Sequence, residues 1–120
     1  MTLYGGDDIL LMKYDLTTLQ RVATVTAGFQ QADQARAVAV DSLGAVFITG
    51  YVTGRPGSTV SASTDIVLSK YDANLNLITS TYAGSPSEYE RATAIAIGHD
   101  GGVYVAGFYS ANGALQCSLV

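Results

Sequence analysis

Residues 35–51 read ARAVAVDSLGAVFITGY, and residues 92–108 read ATAIAIGHDGGVYVAGF. The two stretches lie 57 positions apart, and six of their 17 positions are identical, with five more exchanging Val with Ile or Phe with Tyr. A second pair has the same offset, because residues 8–15 read DILLMKYD and residues 65–72 read DIVLSKYD. A period above 50 residues with several sub-segments is typical of a protein built from repeated structural units.

A third repeated pair, residues 19–28 and 75–84, is offset by 56, so one of the two turns is a residue longer. All of these segments are short, rich in β-branched and aromatic residues, and separated by turn residues, which predicts β-strands. We expect Gly44 and Gly101 to supply the positive φ of hairpin turns. The Asp that follows each KY pair is expected to cap its own turn. In DILLMKY and VFITGYV the apolar residues run together without helical spacing, which predicts that strands of this kind are buried on both faces.

The predicted fold is therefore all-β. A small four-stranded antiparallel sheet that is covered on both faces is a β-propeller blade. An antiparallel β-sandwich is the alternative, and it explains the short strands and turns but not the duplication of the sequence.

The motif AxAxAVDxxGxVFITGY at residues 35–51, followed by DIVLSKYD, resembles the bacterial SBBP-type (seven-bladed) β-propeller repeats, which are related to Delta-60 and NHL-type repeats. The resemblance covers nearly the whole chain. It departs from the family pattern at Gly98, where the family favours Asp, and in the polar insert at residues 53–64. The resemblance implies a bacterial extracellular or cell-surface protein, and we recognise no signal peptide in MTLYGGDD at the start of the sequence.

In the family's strand order A to D, residues 1–34 carry strands C and D of one blade, and residues 35–84 form a complete blade. Residues 85–120 carry strands A and B of a third blade, and ALQCSLV is a candidate partial strand C. About two blade-equivalents cannot close a ring of four to eight blades. We expect completion by other blades of a parent chain or by head-to-tail self-association, such as a trimer in which the C–D pair of one copy completes the A–B pair of the next.

Composition excludes several functions. The chain is 48% hydrophobic and 13% charged, its net charge is −4, and no Lys or Arg run is present, so nucleic acid is not an expected partner. No apolar run is long enough to span a membrane. The single cysteine, Cys117, excludes an internal disulfide framework and is expected to act as a small buried hydrophobe.

Catalytic, metal and cofactor sites are not predicted. The adjacent Asp7 and Asp8 could bind Ca²⁺, but no calcium-loop motif surrounds them. His99 and Asp100 could form a base and its orienting partner, yet the sequence has no second His and no nucleophile motif. We therefore expect a non-enzymatic protein without a cofactor.

Four residues are candidates for ligand binding: Tyr89, Tyr109, Arg36 and Arg91. The arginines suit carboxylate recognition, or rim salt bridges to Glu88, Glu90 or Asp33. The tyrosines suit stacking on sugars. Lys13 and Lys70 occupy equivalent strand ends, where packing of the side-chain stem along the sheet is expected. Three functions remain: a structural or protein-interaction scaffold first, a carbohydrate-binding propeller with sites between blades second, and an enzyme last.

Overall fold

A computed structural model describes residues 8–28, 33–53, 64–84, 89–111 and 114–119, with side chains described up to residue 110. These ranges contain antiparallel β-sheets and no helix, so the predicted all-β class is confirmed. It follows that no helix capable of crossing a membrane occurs in the described ranges. The strands are β1 (Ile9–Tyr14), β2 (Arg21–Ala27), β3 (Gln34–Val40), β4 (Val46–Thr53), β5 (Thr64–Tyr71), β6 (Leu77–Ala83), β7 (Tyr89–Ile97), β8 (Val103–Ala111) and β9 (Ala114–Leu119).

The strands form three sheets in chain order. The first sheet is β1-β2, the middle sheet is β3-β4-β5-β6, and the third sheet is β7-β8-β9. Within each sheet, strands that follow one another in the chain pair with each other and are antiparallel. Six residues of the candidate strand ALQCSLV, Ala114–Leu119, form β9.

The turns follow the predicted chemistry. Gly44 and Gly101 have φ values of 90° and 86° in the two equivalent hairpins. Asp15 Oδ1 accepts hydrogen bonds from the backbone N–H groups of Thr17 and Thr18, at 2.9 and 2.8 Å. The Asx-turn prediction is therefore confirmed at Asp15.

The one-residue difference between the repeats lies in the turn after the KY pair. Leu19 N–H donates to the carbonyl of Asp15, whereas Leu75 N–H donates to the carbonyl of Asp72, one residue nearer in sequence. Leu19 and Leu75 have positive φ values of 57° and 63°. The longer first turn thus returns to the same backbone geometry as the second.

Gly50 and Gly107 are required by close backbone approach. A Cβ at Gly50 would collide with the carbonyl oxygen of Gln34, and a Cβ at Gly107 would collide with that of Arg91. Both glycines lie beside a register shift in the preceding strand. The repeated glycine before Tyr51 and Phe108 therefore has a steric cause.

Two apolar clusters lie on opposite faces of the middle sheet. The cluster between the first and middle sheets contains Ile9, Leu11, Val46, Ile48, Val52, Val67, Tyr71 and Leu75. The cluster between the middle and third sheets contains Ile66, Ala92 and Val105, with Leu68, Ala83, Ile95 and Val103 packed against it. The two central strands of the middle sheet, β4 and β5, are thus covered on both faces.

The prediction of burial on both faces holds for β4 and β5 but is wrong for β1. In β1, Ile9 and Leu11 are buried, while Leu10 and Met12 are 47% and 40% exposed. The physical reason is that, among the described residues, the first sheet packs against the middle sheet on one face only.

Candidate functional site

Arg91 of the third sheet contacts Tyr51 of the middle sheet. It is half-buried in β7, and its guanidinium carbon lies 4.3 Å from the centre of the Tyr51 ring in β4. Tyr51 is buried, so this cation–π contact is shielded from solvent on the tyrosine side. The arrangement ties the third sheet to the middle sheet.

The other three predicted ligand residues are dispersed. Arg36 is exposed at the register shift of β3. Tyr89 begins β7 and pairs with Ser110, whereas Tyr109 pairs with Glu90, so the two tyrosines lie on opposite faces of the third sheet. None of the four candidates lines either of two cavities that lie between the middle and third sheets.

The larger of these cavities lies between the middle and third sheets and has a volume of about 460 Å³. Two equivalent hairpin turns form its walls. These residues carry no recognisable binding motif in the sequence, although the repeat places the two turns at equivalent positions. The lining includes Asp41, Ser42, Leu43, Phe47, Ile97 and His99.

Asp100 serves its own hairpin. Its Oδ2 accepts a 2.5 Å hydrogen bond from the Tyr104 hydroxyl, and its Oδ1 accepts one of 2.9 Å from the Gly102 N–H. The bond from Tyr104, followed by that from Gly102, lowers the pKa of Asp100, and the same bond to Asp100 raises the pKa of Tyr104. Asp100 thus orients Tyr104, which differs from the base-orienting role considered for it beside His99.

A pair of carboxyl groups recurs where each outer strand ends. A Cβ built on Gly28 would lie 2.7 Å from oxygens of both Asp8 and Asp33. At Gly84 the corresponding distances are 2.5 Å to Asp65 and 2.6 Å to Glu90. The repeat offset relates Asp8 to Asp65 and Asp33 to Glu90, a signal in the sequence that was not used to predict this site.

One of these carboxyl groups anchors the start of the middle sheet. Asp33, which is fully buried, accepts a 2.8 Å hydrogen bond from the Thr53 N–H at the end of β4. Among the described residues no group of three or more His, Cys, Asp or Glu side chains could hold a metal ion. Asp7, the neighbour of Asp8 in the calcium hypothesis, lies outside the described residues, as does Glu88.

The equivalent lysines make different contacts. Lys70 Nζ lies 5.6 Å from the centre of the Phe47 ring in the adjacent strand. Lys13 Nζ donates a 2.7 Å hydrogen bond to the carbonyl of Ala73 in the middle sheet's last turn. Cys117 pairs with Phe108 in the backbone register of β9, and its side chain lies outside the described part.

No family model matches this sequence, and no curated protein is similar to it.

Proposed function

We propose that the chain is a non-enzymatic β-propeller repeat segment that acts as a structural or protein-interaction scaffold. One observation carries the proposal: equivalent residues of the repeat cover equivalent places on the preceding sheet. Val46 and Ile48 pack against the first sheet, and their equivalents Val103 and Val105 pack against the middle sheet.

The surfaces against which each following sheet packs are also formed by equivalent residues. Ile9 and Leu11 of β1 face the middle sheet, and their equivalents Ile66 and Leu68 of β5 face the third sheet. In a two-layer sandwich of the two halves, the duplicated residues would face each other across one core. The recurrence of the same contacts from the first sheet to the middle sheet and from the middle sheet to the third supports stacked blades, and such a step forms a ring where its rotation closes.

The described polar residues support a structural role. Arg91 is stacked on Tyr51, Asp33 binds the backbone of β4, and Asp100 binds Tyr104. The proposal extends to the SBBP-type family and to a bacterial extracellular or cell-surface setting, for which the motifs quoted from the sequence are the support.

Negative-stain electron microscopy tests the propeller arrangement. We expect ring-shaped particles with a central depression and rotational symmetry. Compact particles without a central depression would contradict the propeller.

A carbohydrate-binding propeller is a second candidate, favoured by the cavity of about 460 Å³ between the middle and third sheets. The Phe47 ring offers an apolar face for stacking, and His99 and Asp41 line the same cavity. A glycan array separates the two functions. A scaffold leaves the array blank, whereas a lectin gives signals that Phe47→Ala abolishes and that Leu16→Ala, at an exposed turn outside the cavity, leaves intact.

A further inference from the structure

Among the described residues, the edge of β1 is open and that of β8 is open in part. In the described part of the chain, β1 pairs only with β2. On the third sheet, β9 pairs with β8 from Ala106 to Ala111 and does not reach Val103–Val105. In the middle sheet, the equivalent strands β4 and β5 pair with each other from Val46 to Thr53.

The register of the β4–β5 pair predicts the register in which β8 would pair with β1. The pairs Val46–Tyr71 and Phe47–Lys70 correspond, by the offset of 57, to Val103–Tyr14 and Tyr104–Lys13. Within one chain the middle sheet separates β8 from β1, so this pairing requires β1 of a different sheet stack. Open strand edges readily accept another strand.

An apolar cavity lies where that strand would pack. Its volume is about 230 Å³, and it lies between the middle and third sheets. Its lining includes Ile66, Leu68, Thr81, Ala83, Val103 and Val105.

The interface between the first and middle sheets shows which side chains fill the position equivalent to this cavity. In the first sheet, the residues equivalent to Ile66 and Leu68 are Ile9 and Leu11, and they share a cluster with Val67 and Tyr71 of β5. The equivalents of Val67 and Tyr71 are Leu10 and Tyr14, which are 47% and 49% exposed. The exposed face of β1 thus carries the side chains equivalent to those that fill this position between the first and middle sheets.

Val40 and Tyr104 are exposed residues that would meet at the interface between two copies. Ile97 of the third sheet and Phe47 of the middle sheet line one cavity between them. Their equivalents are Val40, 59% exposed on the middle sheet, and Tyr104, 50% exposed on the third sheet. A neighbouring copy would bring its Tyr104 to Val40.

We propose that the occupant is a second copy of this chain, whose β1-β2 hairpin joins β7-β8 to form a composite four-stranded sheet. Leu10 and Tyr14 of the added hairpin enter the apolar cavity. The strand β9, which covers part of the β8 edge, is displaced by the incoming β1. The inference rests on the proposed function, because it assumes that the repeat offset relates equivalent surfaces.

The interface is heterologous, since the first sheet of one copy meets the third sheet of the next. Only two residues separate β8 from β9, whereas ten residues separate β4 from β5. The strand β9 therefore folds back directly onto the end of β8. The register of β9 therefore differs from that of β5, and β9 occupies the edge without reproducing the repeat.

Disulfide trapping between two single-cysteine proteins tests the register. One carries Lys13→Cys and the other Tyr104→Cys, both in a Cys117→Ser background. Directly paired residues of antiparallel strands have Cα atoms about 4.5–5.5 Å apart, within disulfide reach. We expect a covalent heterodimer on a non-reducing gel. Tyr14→Cys with Val103→Cys provides a second pair in the same register if the first affects folding.

Thr24→Cys is the matched control. Thr24 is exposed and pairs with Met12, so it lies one strand further from β8. Two strand spacings are about 9–10 Å, beyond disulfide reach. We expect at least tenfold less heterodimer with Tyr104→Cys. Equal yields from Lys13→Cys and Thr24→Cys would overturn the composite sheet.

Gln116→Pro tests the displacement of β9. Gln116 pairs with Tyr109, and proline removes a backbone donor from the strand. We expect a severalfold rise in trapped heterodimer, and an unchanged or reduced yield would contradict competition at the β8 edge. Ring particles without register-specific trapping would reject the composite sheet alone, whereas trapped dimers that never form rings would reject the propeller.

Discussion

At the scale of single residues, Leu19 and Leu75 show one backbone geometry with two different side-chain roles. Both have positive φ, which costs a non-glycine residue about 1–2 kcal/mol. Leu75 is buried in the cluster between the first and middle sheets, whereas Leu19 is 72% exposed. The strain is offset by packing at Leu75 only.

Leu19→Asn should raise the free energy of unfolding by up to about 1 kcal/mol, because Asn adopts the left-handed conformation more readily than Leu. Leu75→Asn should lower it by about 2–5 kcal/mol, because a buried leucine is lost and a polar amide is buried. Urea denaturation of both variants measures the difference. A loss of stability at Leu19 equal to that at Leu75 would refute this account of the turns.

The turn aspartates should produce an acid-dependent loss of stability. Hydrogen bonds from the N–H groups of Thr18 and Thr17 lower the pKa of Asp15, and hydrogen bonds from Asn76 lower that of Asp72. A carboxyl group with a lowered pKa in the folded state stabilises the fold above its unfolded pKa of about 3.9. That contribution is lost as the pH falls through the lower folded value.

The double variant Asp15→Asn/Asp72→Asn should therefore flatten the decline of the urea midpoint below about pH 4. Midpoints recorded from pH 2 to pH 6 provide the measurement. Ser42→Ala, in another exposed turn, is the control and should keep the wild-type slope. The same slope in the double variant would show that these turns do not contribute to acid sensitivity.

At the scale of elements, the sequence predicted strands and turns well because their determinants are local. DIVLSKYD is the β5 strand and its turn aspartate, and Gly44 and Gly101 have the predicted positive φ. Side-chain partners were not predictable, because they depend on which sheet covers which face. The sequence places Arg91 near a strand start, but only the packing of β7 on the middle sheet brings it onto Tyr51.

The dependence of side-chain burial on neighbouring sheets also explains why β1 and β5 differ in burial. Their sequences are nearly identical, yet β5 is covered on both faces and β1 on one. Likewise, the carboxyl pairs at Gly28 and Gly84 depend on side chains from separate segments that meet only after folding. Local composition determines the strand, and neighbouring sheets determine the environment of its side chains.

Val38 and Ile48 form a matched pair for testing this difference. They are cross-strand partners on one face of the middle sheet, but Ile48 is 2% exposed and Val38 is 56% exposed. At low protein concentration, Ile48→Ala should cost about 2–5 kcal/mol of unfolding free energy, and Val38→Ala less than about 1 kcal/mol. Urea denaturation gives both values, and equal costs would argue against the packing described.

At the scale of the whole molecule, one group of exposed apolar residues lies on sheet faces that no other described sheet covers. Leu10, Met12 and Tyr14 lie on one face of β1, while Val38 and Val40 lie on the uncovered part of the middle sheet. Exposed apolar residues that lie side by side on a sheet face mark candidate sites of association. The central claim is that the chain is completed by copies of itself through the same inter-sheet step that it uses internally.

Light scattering of the purified chain in solution tests that claim most directly. We expect one species of about three chain masses, because three copies with two blade-equivalents each give six blades, within the range of known propellers. Tyr14→Lys, which places a charge on the exposed face of β1, should shift the mass to that of one chain while the β-sheet circular dichroism persists. A wild-type protein that remains a stable, soluble monomer at high concentration would contradict the claim.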